Sequence, residues 1–187
     1  MGGTLMATNF DFPEYTEFQK YKIYYESMLR VGEEYQDFLT QFLPRYGIIP
    51  QFFSSKKYQY AKGEGHGSLE VKFDMMFSDT GNVWIETHEK SHPTNQEYVE
   101  SGILRNDEAM LYGIGNYHYF FIFSRKRLKD LLSQFKIREN KARTSKGFLL
   151  NEVVARRYCE RIISFDNDDV RKYLANKRAP LLRRQKP

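Results

Sequence analysis

KGEGHGSLEVKFDMMFSDTGNVWIETHEK, residues 62–90, is the stretch on which the fold turns. Leu69–Phe77 and Asn82–Glu89 alternate in the two-residue period of β-strands, and Ser78-Asp79-Thr80-Gly81 between them offers a glycine where a turn wants positive φ. The spacing predicts a hairpin. Its first strand carries Glu70, Lys72 and Asp74 on one face, with Val71 and Phe73 on the other. Its second carries Trp84, Glu86 and His88 on one face, with Val83, Ile85 and Thr87 opposite. Asp74 and Glu86 are therefore expected to converge. Two carboxylates and a backbone carbonyl such as that of Thr87 are hard oxygen donors suited to Mg²⁺ or Mn²⁺. An ion held there polarises a phosphoryl group and generates an attacking hydroxide. A sheet that merely carries charge on its outer face fits the alternation equally well.

N-terminal to this stretch, Glu14–Leu43 has a helical pattern. Tyr35, Phe38, Leu39, Phe42 and Leu43 recur at i, i+3, i+4, i+7 and i+8, one apolar stripe, with Gly32 dividing them from the Phe18–Leu29 run. Pro44 and Gly47 close the helix. Glu34 lies at the edge of the stripe, within reach of a site beyond it, whereas Glu33 points away. Ile48–Ser54 reads as a first strand, followed by a polar loop.

C-terminal to it, Gly115-Asn116 separates the apolar runs Met110–Ile114 and Tyr117–Phe123, as in a hairpin or tight crossover. Tyr119–Phe123 is almost wholly apolar, so that strand is expected to be covered on both faces, with helices over the sheet. Ser124 is a fitting cap for a helix over Arg125–Phe135. Ile137–Lys146 reads as a basic loop, Gly147–Ile163 follows no single period, and Asp166 opens a short helix burying Val170, Tyr173 and Leu174. The pattern gives a loose start over 1–13, one α/β domain over 14–176 with a central mixed sheet flanked by helices, and a mobile basic tail over 177–187.

With 41% hydrophobic residues, 14 Tyr and 15 Phe, the 187 residues suffice for one packed core. The net charge of +5, weighted to the second half, favours an anionic partner such as nucleic acid. Arg125, Lys126, Arg127, Lys141, Arg143 and Lys146, with Lys72, are the candidate phosphate contacts. A single cysteine, Cys159, excludes an internal disulfide and cysteine-rich zinc modules, and no run of about 18 apolar residues occurs, so a cytoplasmic protein is expected.

Asp74, eleven residues, then Glu86-Thr87-His88, preceded by a helix carrying Gly32-Glu33-Glu34-Tyr35-Gln36, resembles the PD-(D/E)XK nuclease superfamily over roughly Val31 to Phe135. The resemblance implies a restriction-endonuclease-like fold and Mg²⁺- or Mn²⁺-dependent hydrolysis of DNA. It implies metal ligation by Asp74, Glu86 and the Thr87 carbonyl, with help from Glu34, and places Ser101 near the scissile phosphate. Small nucleases of this kind often dimerise, so a homodimer is also expected. One departure stands out: His88 occupies the position of the family's lysine. Lys90 lies two residues further along the same face and Lys72 on the neighbouring strand. His88 as general base, a migrated lysine, or a catalytically inactive nucleic-acid-binding or assembly protein are the three outcomes.

A rival motif overlaps the same residues. His88-Glu89-Lys90-Ser91-His92 has the zinc-hydrolase spacing His-Glu-x-x-His, which binds metal when a helix brings both histidines to one face. Here the first histidine ends a strand pattern and Pro93 follows the second, and along a strand they lie roughly 13 Å apart. Ser101 has a structural reading too, as the cap of a short helix.

Overall fold

The structure, a computed structural model, describes residues 17–52, 65–66 and 69–183. The loose start expected over 1–13 and most of the polar loop after Phe52 lie outside the described residues. The chain divides into two compact units, Met1–Glu34 and Tyr35–Pro187. In the first, the helix α1 (Glu17–Phe42) begins and exposes Tyr24, Tyr25 and Leu29. Gly32 does not divide the helix as expected, since a glycine costs only about 1 kcal/mol there.

The rest is a mixed α/β unit. In chain order its strands are β1 (Gln51–Phe52), β2 (Gly65–His66), β3 (Leu69–Phe73), β4 (Asn82–Glu89), β5 (Val99–Glu100), β6 (Leu111–Gly115), β7 (Tyr119–Ser124), β8 (Arg138–Glu139), β9 (Ser145–Asn151) and β10 (Arg161–Ser164). Its further helices are α2 (Phe77–Thr80), α3 (Arg125–Leu131), α4 (Glu152–Tyr158) and α5 (Asn167–Arg183). Four strands form one sheet in the order β10-β7-β6-β3, and four form another in the order β5-β4-β9-β8, while β1 and β2 pair alone. The first sheet is mixed, because β3 runs parallel to β6.

The expected acidic hairpin is therefore absent. The strands β3 and β4 are not paired: β3 is the edge of one sheet and β4 an inner strand of the other. The short helix α2 re-aims the chain between them, closed by Gly81 at φ 63. One central sheet becomes two. The glycine belongs where the turn reading placed it, but it ends a helix rather than the Ser78–Gly81 turn of a hairpin.

The β10-β7-β6-β3 sheet is covered on both faces, as the apolar run in β7 predicts. Leu69, Val71, Phe120, Ile122 and Ile163 meet the stripe Tyr35, Phe38, Leu39, Phe42 and Leu43, together with Val170 and Tyr173 of α5. Tyr112, Ile114, Phe121 and Phe123 face the other way, onto Val83 and Ile85 of β4, Phe148 and Leu150 of β9, Leu128 of α3 and Ala155 of α4. Each large side chain so buried contributes about 1.5–3 kcal/mol. The β6–β7 connection is a hairpin, in which Asn116 Oδ1 accepts the N–H groups of His118 and Tyr119. A side chain at Gly115 would strike the Tyr119 carbonyl, its Cβ 2.0 Å from that oxygen.

Two boundaries differ further. The stretch with no single period resolves into β9, α4 and β10, each too short for its period to stand out. The residues Lys177–Arg183, expected as the start of a tail, continue α5, and Asp166 Oδ1 caps that helix by accepting from Asp168 and Asp169 N–H. Among the described residues no helix is long and apolar enough to cross a membrane.

Candidate functional site

The β3 alternation sends Leu69, Val71 and Phe73 to the helix-covered face and Glu70 and Lys72 to the face between the sheets. Glu70 stands in register with Tyr112 of β6, and both are fully buried. Lys72 Nζ lies 3.2 Å from Glu70 Oε1 and 3.6 Å from Glu86 Oε1, so one ammonium joins β3 to β4. The approach to Glu70 is not aligned for a hydrogen bond, and neither Glu70 oxygen has one. Of the five buried polar side-chain atoms without a hydrogen bond among the described residues, three are here: both Glu70 oxygens and the Tyr112 hydroxyl.

Glu86 is held differently. Ser101 Oγ donates to its Oε1 at 2.8 Å and Ser145 Oγ to its Oε2 at 2.9 Å. Burial works to raise its carboxyl, but Lys72, the two hydroxyls and Arg105 outweigh burial and hold it below the ordinary glutamate value. Arg105, itself 3.7 Å from Glu89, thus adds a second cation to the field at Glu86. Tyr112 is pushed well above the ordinary phenol, first by burial, with Lys72 opposing and Glu70 and Glu86 adding. The site needs Gly102 beside Ser101: its φ is +50, and a Cβ there would lie 2.3 Å from the Glu86 carbonyl oxygen.

Asp74 is not part of this cluster. Its Oδ1 accepts the N–H groups of Met76 and Phe77, and its Oδ2 that of Trp84, each at 3.0 Å. It therefore caps α2 and stands level with Trp84, two residues, or roughly 7 Å along a strand, short of Glu86. The Asp74–Glu86 convergence expected from alternation fails because β3 ends at Phe73 and the chain turns away. The Thr87 carbonyl, expected as a metal ligand, accepts the Ser101 N–H at 2.9 Å, and the Thr87 hydroxyl donates to the Lys146 carbonyl. Glu34 is exposed at the end of the first unit.

The strand β4 is bulged between Glu86 and His88, which pair with the consecutive residues Gly147 and Lys146. Burial still alternates across it, with Thr87 buried between the half-buried Glu86 and His88. The ring of His88 hydrogen-bonds the Thr87 hydroxyl through Nδ1 at 2.9 Å. Lys90 turns to the following loop, donating to the Asn95 carbonyl and lying over the Tyr98 ring. Lys72 is thus the lysine beside Glu86. No helix carries His88 and His92: the first lies in β4, and the second binds Thr94 Oγ1 in the turn after it. Among the described residues no three of His, Cys, Asp or Glu gather to hold a metal; the carboxylates at Lys72 are a pair.

Of the candidate phosphate contacts, Arg125 is a correction. It is buried, its guanidinium donating to the carbonyls of Gly102, Ile103, Arg105 and Ala109 and paired with Asp107. Lys126, Arg127, Lys141 and Arg143 are exposed, with Arg127 paired to Glu160 and Arg143 to Glu139. Lys146 sits over the Tyr98 ring, 4.1 Å from its centre. The sequence reading missed Glu70, Tyr112, Ser145 and Arg105 as site residues. The triplet Glu70-Val71-Lys72 was visible as an acid and a lysine on one face; nothing local marks Ser145, which arrives from 59 residues beyond Glu86. No protein-family model, curated protein or solved structure matches the chain.

Proposed function

We propose that this chain is a divalent-metal-dependent nuclease hydrolysing phosphodiester bonds in DNA, on a restriction-endonuclease-like variant of its mixed α/β fold, with the site centred on Glu70, Lys72 and Glu86. The observation that carries this reading is the fully buried Glu70 carboxylate, without a hydrogen bond and linked through one lysine to Glu86. A structural carboxylate in that position finds donors; one with free lone pairs is suited to a ligand.

The residues fit Mg²⁺ or Mn²⁺. Two carboxylates beside the Lys72 ammonium, with Arg105 further out and paired to Glu89, bring hard oxygen donors together, and neither Glu70 oxygen is committed to a hydrogen bond. When bound, such an ion polarises the phosphoryl oxygen and acidifies its water. The protein's own groups do the rest. Ser101 and Ser145 fix the Glu86 rotamer and keep it ionised. Lys72 supplies positive charge for a phosphate in flight, so the acid-x-lysine triplet of the resemblance is supplied by β3 and His88 need not replace it. The exposed Lys126, Arg127, Lys141 and Arg143 hold the DNA backbone without reading sequence.

The test is cleavage of plasmid DNA in Mg²⁺ or Mn²⁺ by the full chain and by Glu86→Gln. Cleavage by the wild type should fall on the order of 100-fold or more in the variant, at least the scale of losing an outer-shell partner, with circular dichroism unchanged. Salt-dependent DNA binding without cleavage in either ion sinks the nuclease reading and leaves a non-catalytic DNA-binding protein.

A further inference from the structure

We infer that the tip of the β8–β9 hairpin, residues 140–146, is the surface that grips the phosphate backbone of DNA beside the Glu70–Glu86 site, and that Arg143 is kept in a left-handed conformation to make that contact. This rests on the reading of the chain as a DNA-cutting enzyme and names the element that holds its substrate. Among the described residues Arg143 is the one residue other than glycine with positive φ, at 57. A Cβ disfavours that conformation, which persists only where the surroundings over-determine it. Here they do. Arg143 N–H donates to the Asn140 carbonyl at 3.0 Å, and the Arg143 carbonyl accepts from the Tyr98 hydroxyl at 3.2 Å. Asn140 Oδ1 accepts the next two N–H groups, those of Thr144 and Ser145, and the Thr144 carbonyl accepts Lys90 N–H.

Glycine or asparagine fills such a position with less strain, so a loop that served the fold alone has no use for a long cationic side chain there. Within the chain that side chain meets Glu139 at 3.4 Å, an exposed i,i+4 ion pair of the kind that contributes little, and it is itself 75% exposed. Its neighbours share its sign: residues 138–146 carry the cations Arg138, Lys141, Arg143 and Lys146 against the single anion Glu139. The tip is also in the right place. Ser145, whose N–H binds Asn140 and whose hydroxyl binds Glu86, ends the turn and begins the site. Arg143 is two residues away, at most about 7 Å of chain. Phosphates follow one another at about 3.4 Å of helix axis along a strand, so one held at Glu86 has its neighbours under these cations. Such contacts position the duplex without reading its sequence.

The experiment is fluorescence anisotropy of the full chain with a labelled DNA duplex in EDTA, over a series of salt concentrations, on wild type, Arg143→Gly, Lys141→Gln and Lys172→Gln, with the thermal midpoint of each. Arg143→Gly and Lys141→Gln should each reduce the slope of log affinity against log salt by about 1, equally on unrelated sequences. Lys172→Gln, on α5 and outside the tip, should leave the slope unchanged. Arg143→Gly should melt at or above the wild-type midpoint, because glycine adopts positive φ without a Cβ clash. An unchanged slope for Arg143→Gly or Lys141→Gln, or an equal fall for Lys172→Gln, overturns the tip as the gripping surface. A lower midpoint for Arg143→Gly shows that the arginine serves the fold and overturns its role as a strained contact. If the tip fails while the wild type cuts DNA in Mg²⁺ or Mn²⁺, the nuclease reading survives alone. If the slopes fall as expected and the wild type cuts nothing, the grip belongs to a non-catalytic DNA-binding protein. If the wild type binds no duplex at any salt concentration, both fall together.

Discussion

Arg125 and Glu70 are both charged and both buried, yet their surroundings are opposite. The Arg125 guanidinium is saturated by four backbone carbonyls and Asp107 and ties down the segment from Gly102 to Ala109. The Glu70 carboxylate has a single loosely placed ammonium and no hydrogen bond. A buried polar group left without partners costs about 1–3 kcal/mol, and more when charged, so the chain bears at Glu70 a burden that it avoids at Arg125. The saturated charge is scaffold; the unsaturated one is held open. The scaffold also serves the site, because Gly102, whose carbonyl Arg125 binds, follows Ser101, the donor to Glu86.

That contrast is most directly broken by stability measurements. Arg125→Met strands the buried Asp107 carboxylate and four carbonyls, and urea unfolding should show a loss of about 3–5 kcal/mol. Glu70→Gln removes a charge but no hydrogen bond, so the same assay should show less than about 1 kcal/mol of loss, or a gain. Equal losses from the two substitutions would make Glu70 one more structural ion and remove the ground for placing a site there.

Asp74 lies between these extremes, a carboxylate saturated by three backbone N–H groups at the start of a short helix. Asp74→Ala should cost about 2 kcal/mol, the upper end of a lost cap, and leave Mn²⁺ affinity unchanged. This reverses the expectation from alternation, in which the substitution spares the fold and removes the chemistry. Burial is the largest influence on the Asp74 carboxyl and raises it despite the three amides. A carboxyl raised on folding contributes most below its unfolded value, 3.8, and contributes less as pH rises through its folded value. The deficit of Asp74→Ala should therefore be widest in acid. A deficit that grows towards neutral pH would show that the amides outweigh burial.

The reach of the sequence is clear from the same residues. The helix stripe Tyr35–Leu43, the extent of β4, the double burial of β7 and the faces of β3 were all legible, because each follows from periodicity within one element. The separation of β3 from β4 was not. Pairing is a property of two segments, and a turn-like Ser78–Gly81 does not tell whether the chain folds back or crosses to another sheet. The bulge between Glu86 and His88 likewise leaves no mark in composition. Arg125 heads a run of exposed basic residues, and only the converging carbonyls set it apart from Lys126 and Arg127. The lysine of the site was legible as a candidate; its carboxylate partner Glu70 was on the right face but was passed over for Asp74.

The comparison sharpens at the surface, where saturation counts for least. Tyr98 donates to Glu139 Oε1 at 2.5 Å, with Lys90 and Lys146 over its ring, an arrangement as complete as that of Arg125. Its phenol is pushed up to about 12, first by burial, then by the hydrogen bond to Glu139 and by that carboxylate's charge, with Arg143 opposing. A phenol raised on folding stabilises fully below the unfolded value of 10.0, and its contribution disappears as pH rises through about 12. Glu139→Gln should bring the phenol below 12 without restoring 10, as ultraviolet titration of the tyrosines would show, because burial remains. Stability at neutral pH should hardly move, since water replaces the lost partner at an exposed carboxylate. A phenol that stays near 12 would assign the whole shift to burial. A large loss of stability at neutral pH would mean that exposure does not separate this pair from Arg125, and that saturation alone, wherever it occurs, makes a charge structural.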